Sequence, residues 1–221
     1  MPTGTITAIA AQAQESQRVN IFVDGQFVIG ISLATLAQEG LFVGQNLDED
    51  GWARLEVAAQ REAAVRAALR LIDSRPRSVA EIGRQLARKR YPAEIVAQAV
   101  ARMQELGLLD DAAFSNLWVE SRQRVRPRGP RALRDELRRK GVDRATIEAT
   151  LAAHAGDAET EAVQIESVAR AALPRYANCP DWASFQRRLG GFLQRRGFSL
   201  HLIGPILGIL WKELGRSADE R

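Results

Sequence analysis

The spacing of apolar and polar positions changes character once along the chain. In the first fifty residues it is that of strands. Thr5-Ile6-Thr7-Ala8-Ile9 alternates, Arg18-Val19-Asn20-Ile21-Phe22-Val23 is β-branched and aromatic, and Gln26-Phe27-Val28-Ile29-Gly30-Ile31 follows Asp24-Gly25. Two apolar runs joined by Asp-Gly signal a hairpin, because both turn positions need φ > 0. The pattern predicts a small antiparallel hairpin or three-stranded sheet, with a short helix near Leu33 to Gln38. A lone hairpin is marginal in water, so it packs on the following helices or on a partner. From about Gln60 the period becomes helical: Ala64, Ala67, Ala68, Leu71 and Ile72 recur on one face. Arg75-Pro76-Arg77-Ser78 interrupts it, and Ser78 with Glu81 forms a capping box. The next helix carries Val79, Ile82 and Leu86. A further one, with Pro92 in its first turn, carries Ile95, Val96, Ala99, Val100, Met103 and Leu106 and stops at Gly107.

This three-helix unit recurs. Leu86-Ala87-Arg88-Lys89-Arg90-Tyr91, Leu137-Arg138-Arg139-Lys140-Gly141-Val142 and Leu193-Gln194-Arg195-Arg196-Gly197-Phe198 share one layout, a leucine, a basic pair, a breaker and a hydrophobe. Ile82, Leu133 and Leu189 precede each leucine by four. Val96, Ile147 and Ile203 follow the last hydrophobe by five, and Val100, Leu151 and Leu207 come four later. A recurrence of about fifty residues is the mark of stacked units that cannot each bury their own face. In each copy the leucine closes the buried face, the basic pair meets the negative end of the helix dipole, and the breaker supplies a left-handed cap. Arg90 replaces glycine in the first copy. The linking helices start at Asp110-Asp111-Ala112-Ala113-Phe114, running to Arg122, and at Asp157, running to Ala172. The fold class expected is mainly α, three tandem three-helix repeats after a small N-terminal antiparallel β hairpin or sheet. The divisions are residues 1–58, 59–109, 110–156 and 157–221. Phe114, Trp118, Leu133, Leu137, Ile147 and Leu151 form the expected core of the middle repeat.

Composition then narrows the function. The 221 residues contain 46% hydrophobic and 26% charged residues, ordinary globular usage. No apolar run reaches the ~18 residues that span a bilayer, the N-terminus lacks a signal-peptide layout, and Cys179 is the single cysteine. The chain reads as soluble and cytoplasmic. Its net charge is +4, but only three lysines occur (Lys89, Lys140, Lys212), so arginine carries the positive charge. From Arg122 to Arg144 ten basic residues face three acids (Asp135, Glu136, Asp143). Arginine's planar fork suits phosphates and carboxylates, and such a local excess points to an anionic partner.

Candidate chemistry is sparse. His154 and His201 are isolated and with Cys179 show no metal-ligand spacing. Cys179 has no identifiable base. Gly204-Pro205-Ile206-Leu207-Gly208 lacks the lysine and preceding strand of a phosphate loop. Asp110 and Asp111 suit a helix start. The chain is expected to be no enzyme and to use no cofactor or metal.

With these residues in view, the chain resembles the RecX family of recombinase regulators. The resemblance rests on Arg18-Val19-Asn20-Ile21-Phe22-Val23-Asp24-Gly25, Arg75-Pro76-Arg77-Ser78, Gly107-Leu108-Leu109-Asp110-Asp111-Ala112-Ala113-Phe114 and Trp118-Val119-Glu120-Ser121-Arg122. It continues through Arg126-Pro127-Arg128-Gly129-Pro130-Arg131-Ala132-Leu133, Glu136-Leu137-Arg138-Arg139-Lys140-Gly141-Val142 and Arg195-Arg196-Gly197-Phe198. It covers nearly the whole chain and is most specific from Leu109 to Val142. It implies an elongated, curved array of repeats, expected as a monomer, that lies along the groove of the RecA filament on single-stranded DNA. The implied consequence is inhibition of RecA's ATP hydrolysis, strand exchange and co-protease stimulation; a weak contact to single- or double-stranded DNA is a further expectation. The residues expected to meet this partner are Arg122, Arg126, Arg128, Arg131, Arg134, Arg138, Arg139 and Lys140 in the middle repeat. Arg88 and Lys89 in the first and Arg195 and Arg196 in the third join them. The competing reading of each basic pair is helix capping. The competing function is direct DNA binding by a helical-repeat protein without a recombinase partner.

Overall fold

The computed structural model describes residues 2–215. The chain divides at Leu109/Asp110 into two compact units.

The first unit opens with β1 (Gly4–Ala11), β2 (Arg18–Val23) and β3 (Gln26–Ser32), followed by helix α1 (Leu33–Gln38) and the two-residue strand β4 (Asn46–Leu47). They form an antiparallel sheet of order β3-β2-β1-β4. The hairpin turn has Asp24 at φ 49 and Gly25 at φ 80, the two positive values a type I′ turn requires. The sheet has four strands where the sequence pattern suggested two or three. Asn46 and Leu47 are too few to show alternation, and only their pairing with Gly4 and Thr5 makes them a strand.

Helix α2 (Glu49–Ser74) begins well before Gln60, where the periodicity first becomes legible. Asp48 caps it, its Oδ1 accepting from Gly51 N at 2.8 Å. At about 39 Å the helix serves two cores in succession. Its first turns bury Trp52 and Leu55 under Ile6, Val19, Ile21, Val23, Ile31 and Leu47 of the sheet. Its second half buries Ala64 and Ala68 against α3 (Val79–Arg88) and α4 (Ala93–Glu105). Because the buried stripe changes partner part-way, it follows no single periodicity. Glu62, midway, pins sheet to helix: it accepts from Ser32 N at 2.9 Å and Thr35 Oγ1 at 3.0 Å and pairs with Arg18 and Arg66.

The capping box at the start of α3 is present, Glu81 N donating to Ser78 Oγ at 3.1 Å. Pro92 takes the cap position of α4, one residue before the first turn where it was expected. Ile82, Leu86, Ile95, Ala99, Met103 and Leu109 fill this core. Arg90 adopts φ 65, so the first repeat closes through the same left-handed residue as the other two, without glycine.

In the second unit, α5 (Asp111–Val125), α6 (Pro130–Lys140) and α7 (Arg144–Ala153) are capped by Asp110, Gly129 and Asp143. Helix α5 runs one turn past Arg122. The middle core holds Phe114, Leu133, Leu137, Ile147 and Leu151 as expected, together with Val119 and Val142; Trp118 is only half-buried at its edge. Then come α8 (Ala158–Ala172), a 3-10 turn (Leu173–Arg175), α9 (Trp182–Phe185), a π turn (Gln186–Gly190), α10 (Gly191–Arg195) and α11 (Leu200–Glu213). Helix α9, the π turn and α10 join end to end as the middle helix of the third repeat, burying Phe185, Leu189 and Leu193 against Ile165, Ile203, Leu207 and Trp211. Gly141 and Gly197 stand at φ 88 and 86. Val142 N and Phe198 N reach back to Leu137 O and Leu193 O at 3.2 and 3.4 Å, closing both helices as Schellman caps. No described helix is long and apolar enough to cross a membrane.

Candidate partner-binding surface

The basic residues of the middle repeat separate by what their guanidinium groups already touch. Glu136 on α6 organises the first group. Its Oε2 accepts from Trp118 Nε1 at 2.9 Å and Arg122 Nε at 2.7 Å, and its Oε1 lies 3.4 Å from Arg128 Nε. Arg122 and Lys140 also lie over the Trp118 ring, at 4.3 and 4.6 Å from its centroid, close enough for cation–π attraction. Arg122, Arg128 and Lys140 therefore tie α5, the α5–α6 connection and α6 together around one carboxylate and one indole. Arg134 makes a two-pronged contact to Glu148 on α7, at 2.7 and 3.0 Å. That hydrogen bond holds the Glu148 carboxyl below its usual range and raises Arg134.

The second group is open. Arg126, Arg131, Arg138 and Arg139 are exposed. Arg138 has a loose contact to Asp135 at 3.7 Å, and Arg139 Nε donates to the backbone carbonyl of Asp135 at 3.2 Å. Arg131 and Arg195 line one shallow concavity with Asp135 and Gln194. Arg88 and Lys89 are exposed at the end of α3 in the other unit. These side chains carry donors for oxyanions and no general base.

Arg196 is different, being half-buried where the third repeat's turn meets the start of α6. Its Nη1 donates to Pro127 O at 3.2 Å and its guanidinium lies 4.7 Å from the Phe192 ring centroid. Gly129 N donates to Arg196 O at 2.9 Å and Arg131 N to Gly197 O at 3.3 Å. Gly129 offers no side-chain cap, so a carbonyl of the third repeat satisfies an otherwise orphan amide of α6. The close approach needs two glycines. A Cβ on Gly129 would stand 2.5 Å from Phe198 N and closer still to the Gly197 carbonyl. One on Gly197 would stand 2.9 Å from Ala132 Cα and closer to its amide nitrogen.

Sequence reasoning missed Arg175, at the end of the 3-10 turn after α8. It joins Arg126 and Arg196 in one concavity. Its position after Pro174 in a long connection concealed it, since nothing local says where that connection returns. Cys179 is buried. His154 sits at the end of α7, with Nδ1 3.0 Å from Thr150 O, and His201 is exposed on α11.

Three family models match the chain. They describe the regulatory protein RecX N-terminal domain over residues 4–48, the first RecX three-helix domain over 64–103 and the second over 110–151. A regulatory protein RecX of Bacillus pumilus is 28% identical over 204 residues, covering 91% of this chain and 76% of the relative. One of Mycobacterium avium is 40% identical over 143 residues, covering 64% of this chain and 82% of the relative. A crystal structure of regulatory protein RecX superposes with a TM-score of 0.77 at 26% identity, covering 91% of this chain and 98% of that one. RecX from Lactobacillus salivarius shares the fold, with a TM-score of 0.61 at 20% identity over 69% of this chain and 97% of its own. With the RecX N-terminal domain and both RecX three-helix domains matched in order along the chain, and a relative 40% identical covered over 82% of its length, this chain belongs to the RecX family of regulatory proteins.

Proposed function

We propose that this chain regulates the RecA recombinase, lying in the groove of the RecA filament on single-stranded DNA and inhibiting its ATP hydrolysis, strand exchange and co-protease activity. It acts without catalysis, as a cytoplasmic monomer, in homologous recombination, DNA repair and the SOS response. It divides into a β-rich segment (1–58) and three repeats (59–109, 110–156, 157–221), with α2 running through the first boundary. The observation that carries the reading is the exposed arginine set of the middle repeat: Arg126, Arg131, Arg138 and Arg139 are displayed on a capped, well-packed helix and its flanking turn. Rigid presentation of charge favours binding because little freedom is lost on docking.

The test is DNA-dependent ATP hydrolysis by the cognate recombinase, titrated with this protein below one copy per subunit. Inhibition that excess single-stranded DNA fails to relieve supports the reading; inhibition that disappears as DNA is added overturns it in favour of competition for nucleic acid. The double variant Arg138→Glu, Arg139→Glu removes two exposed charges whose close polar contacts are to Asp135 on their own helix, so partner binding falls while helicity by circular dichroism stays. A loss of helicity instead assigns the pair to capping.

A further inference from the structure

The concavity missed by sequence reasoning is chemically uniform. Arg126, Arg175 and Arg196 share a space of about 350 Å³ with the apolar side chains of Val125, Val168 and Phe192. Among the described residues of its wall the only charges are these three guanidinium groups, brought by the end of α5, the turn after α8 and the end of α10. Each of them stands at a helix end where a cation complements the dipole, which accounts for one arginine at a time. It does not account for their convergence. Arg128 adds a fourth positive charge nearby, and burial together with Arg128, Arg126 and Arg175 lowers the pKa of Arg196. A folded chain that holds like charges together, with no carboxylate among the described residues of the wall, gains when an anion enters. Arg196 is also already fixed, by Pro127 O and the Phe192 ring, so its ordering cost is met before binding.

We propose that Arg126, Arg175 and Arg196 form a phosphate-binding pocket that takes a backbone phosphodiester of a nucleic-acid strand. Several forks around one point suit the multiple lone pairs of a phosphate better than a single carboxylate. The apolar half of the wall, Val125, Val168, Ala171 and Ala172, suits the carbons of an adjoining sugar. The pocket deepens the filament reading by giving the chain its own contact to the DNA. Its test uses no recombinase, so failure here leaves the filament reading to its own assay.

The probe is a fluorescein-labelled oligothymidylate, titrated by anisotropy across a range of salt concentrations. The variant is Arg126→Gln with Arg175→Gln, both exposed and outside the bonds that fix Arg196. The charge-matched control is Arg54→Gln with Arg70→Gln, exposed on α2. The pocket variant is expected to bind about tenfold more weakly at low salt. The slope of log affinity against log salt is expected to flatten by about 0.7–1.4, since a single strand with one or two fewer neutralised phosphates releases fewer counterions on binding. The control should stay within twofold, and both variants should keep the parent circular dichroism spectrum and melting curve. Equal weakening in both variants, unchanged binding by the pocket variant, or no binding by the parent at low salt overturns the proposal. Inorganic phosphate bound by the parent and not by the pocket variant in calorimetry, with oligothymidylate binding the same in both, overturns the nucleic-acid assignment in favour of free phosphate.

Discussion

Replacing Gly129 by alanine separates a packing effect from a backbone effect by the sign of the result. Gly129 stands at φ −73 and ψ 166, extended backbone that any residue adopts. With nothing nearby, alanine there would stabilise the protein by about 0.4–1 kcal/mol, because it restricts the unfolded chain. The structure predicts the reverse. The added Cβ meets the Gly197 carbonyl and the Phe198 amide, which are backbone atoms and cannot swing aside. Relief requires the turn of the third repeat to withdraw from α6, lengthening Gly129 N to Arg196 O at 2.9 Å and Arg131 N to Gly197 O at 3.3 Å. Two such bonds are worth about 1 kcal/mol each, and displacing a packed backbone costs about 1–3 kcal/mol more. Less the entropic gain, the net destabilisation is about 3 kcal/mol, equivalent to a fall of about 12 °C in the melting temperature of a unit this size. Thermal unfolding by circular dichroism reads the change. Hydrogen exchange localises it, with amides at the start of α6 and at 196–198 losing protection first. Gly141→Ala is the comparison: its φ of 88 costs about 1 kcal/mol of backbone strain. A Gly129→Ala protein as stable as its parent, or more so, refutes the close approach.

Glu62→Gln leaves Arg18 and Arg66 facing a neutral amide in the partly buried junction between sheet and α2, and should cost about 3 kcal/mol in chemical denaturation. A change below about 1 kcal/mol would mean that the pairing is screened as at an exposed surface. Arg90→Gly relieves a left-handed non-glycine residue at φ 65. Strain relief of about 1–2 kcal/mol against added unfolded-state entropy leaves a modest rise in the denaturation midpoint, and a fall would mean that the Arg90 side chain holds the turn. Asp143 caps α7, and hydrogen bonds from the Thr146 hydroxyl and amide, at 2.6 and 3.0 Å, hold its carboxyl below the usual range. A depressed native value means the cap's contribution is complete above the unfolded aspartate value of about 3.9 and is lost as pH falls through the native one. Carboxyl-carbon NMR titration should show Asp143 protonating below the unfolded aspartate value of about 3.9, and Thr146→Val should raise it.

How much was legible from residues alone depended on whether a feature was local. The hairpin at Asp24-Gly25, the capping box at Ser78 and Glu81, and the turns after Leu137 and Leu193 are governed by interactions within a few positions, and all formed where the residue types required them. Helix α2 was recognised only from Gln60 because its first turns bury Trp52 and Leu55 against a sheet formed far earlier in the chain. Strand β4 is two residues whose only reason for being a strand is the edge of β1. The core expected for the middle repeat held except at its rim. There Trp118 keeps its indole N–H at Glu136 and its ring face under two cations, a role hydrophobic periodicity cannot separate from burial.

The amino-acid sequence by itself determined the hairpin of β2 and β3, the recurrence of the three-helix unit, the left-handed turns and the arginine-rich character of the middle repeat. These follow from backbone preference, side-chain period and charge. Only the tertiary structure decided which arginines are already engaged by Glu136, Glu148 and Trp118 and which stand open. It alone brought Arg175 to Arg126 and Arg196 and made Gly129 indispensable to a turn nearly seventy residues away. Ion pairing, pocket convergence and close backbone approach depend on distances between segments remote in the chain, and the spacing of residues along a sequence does not carry those distances.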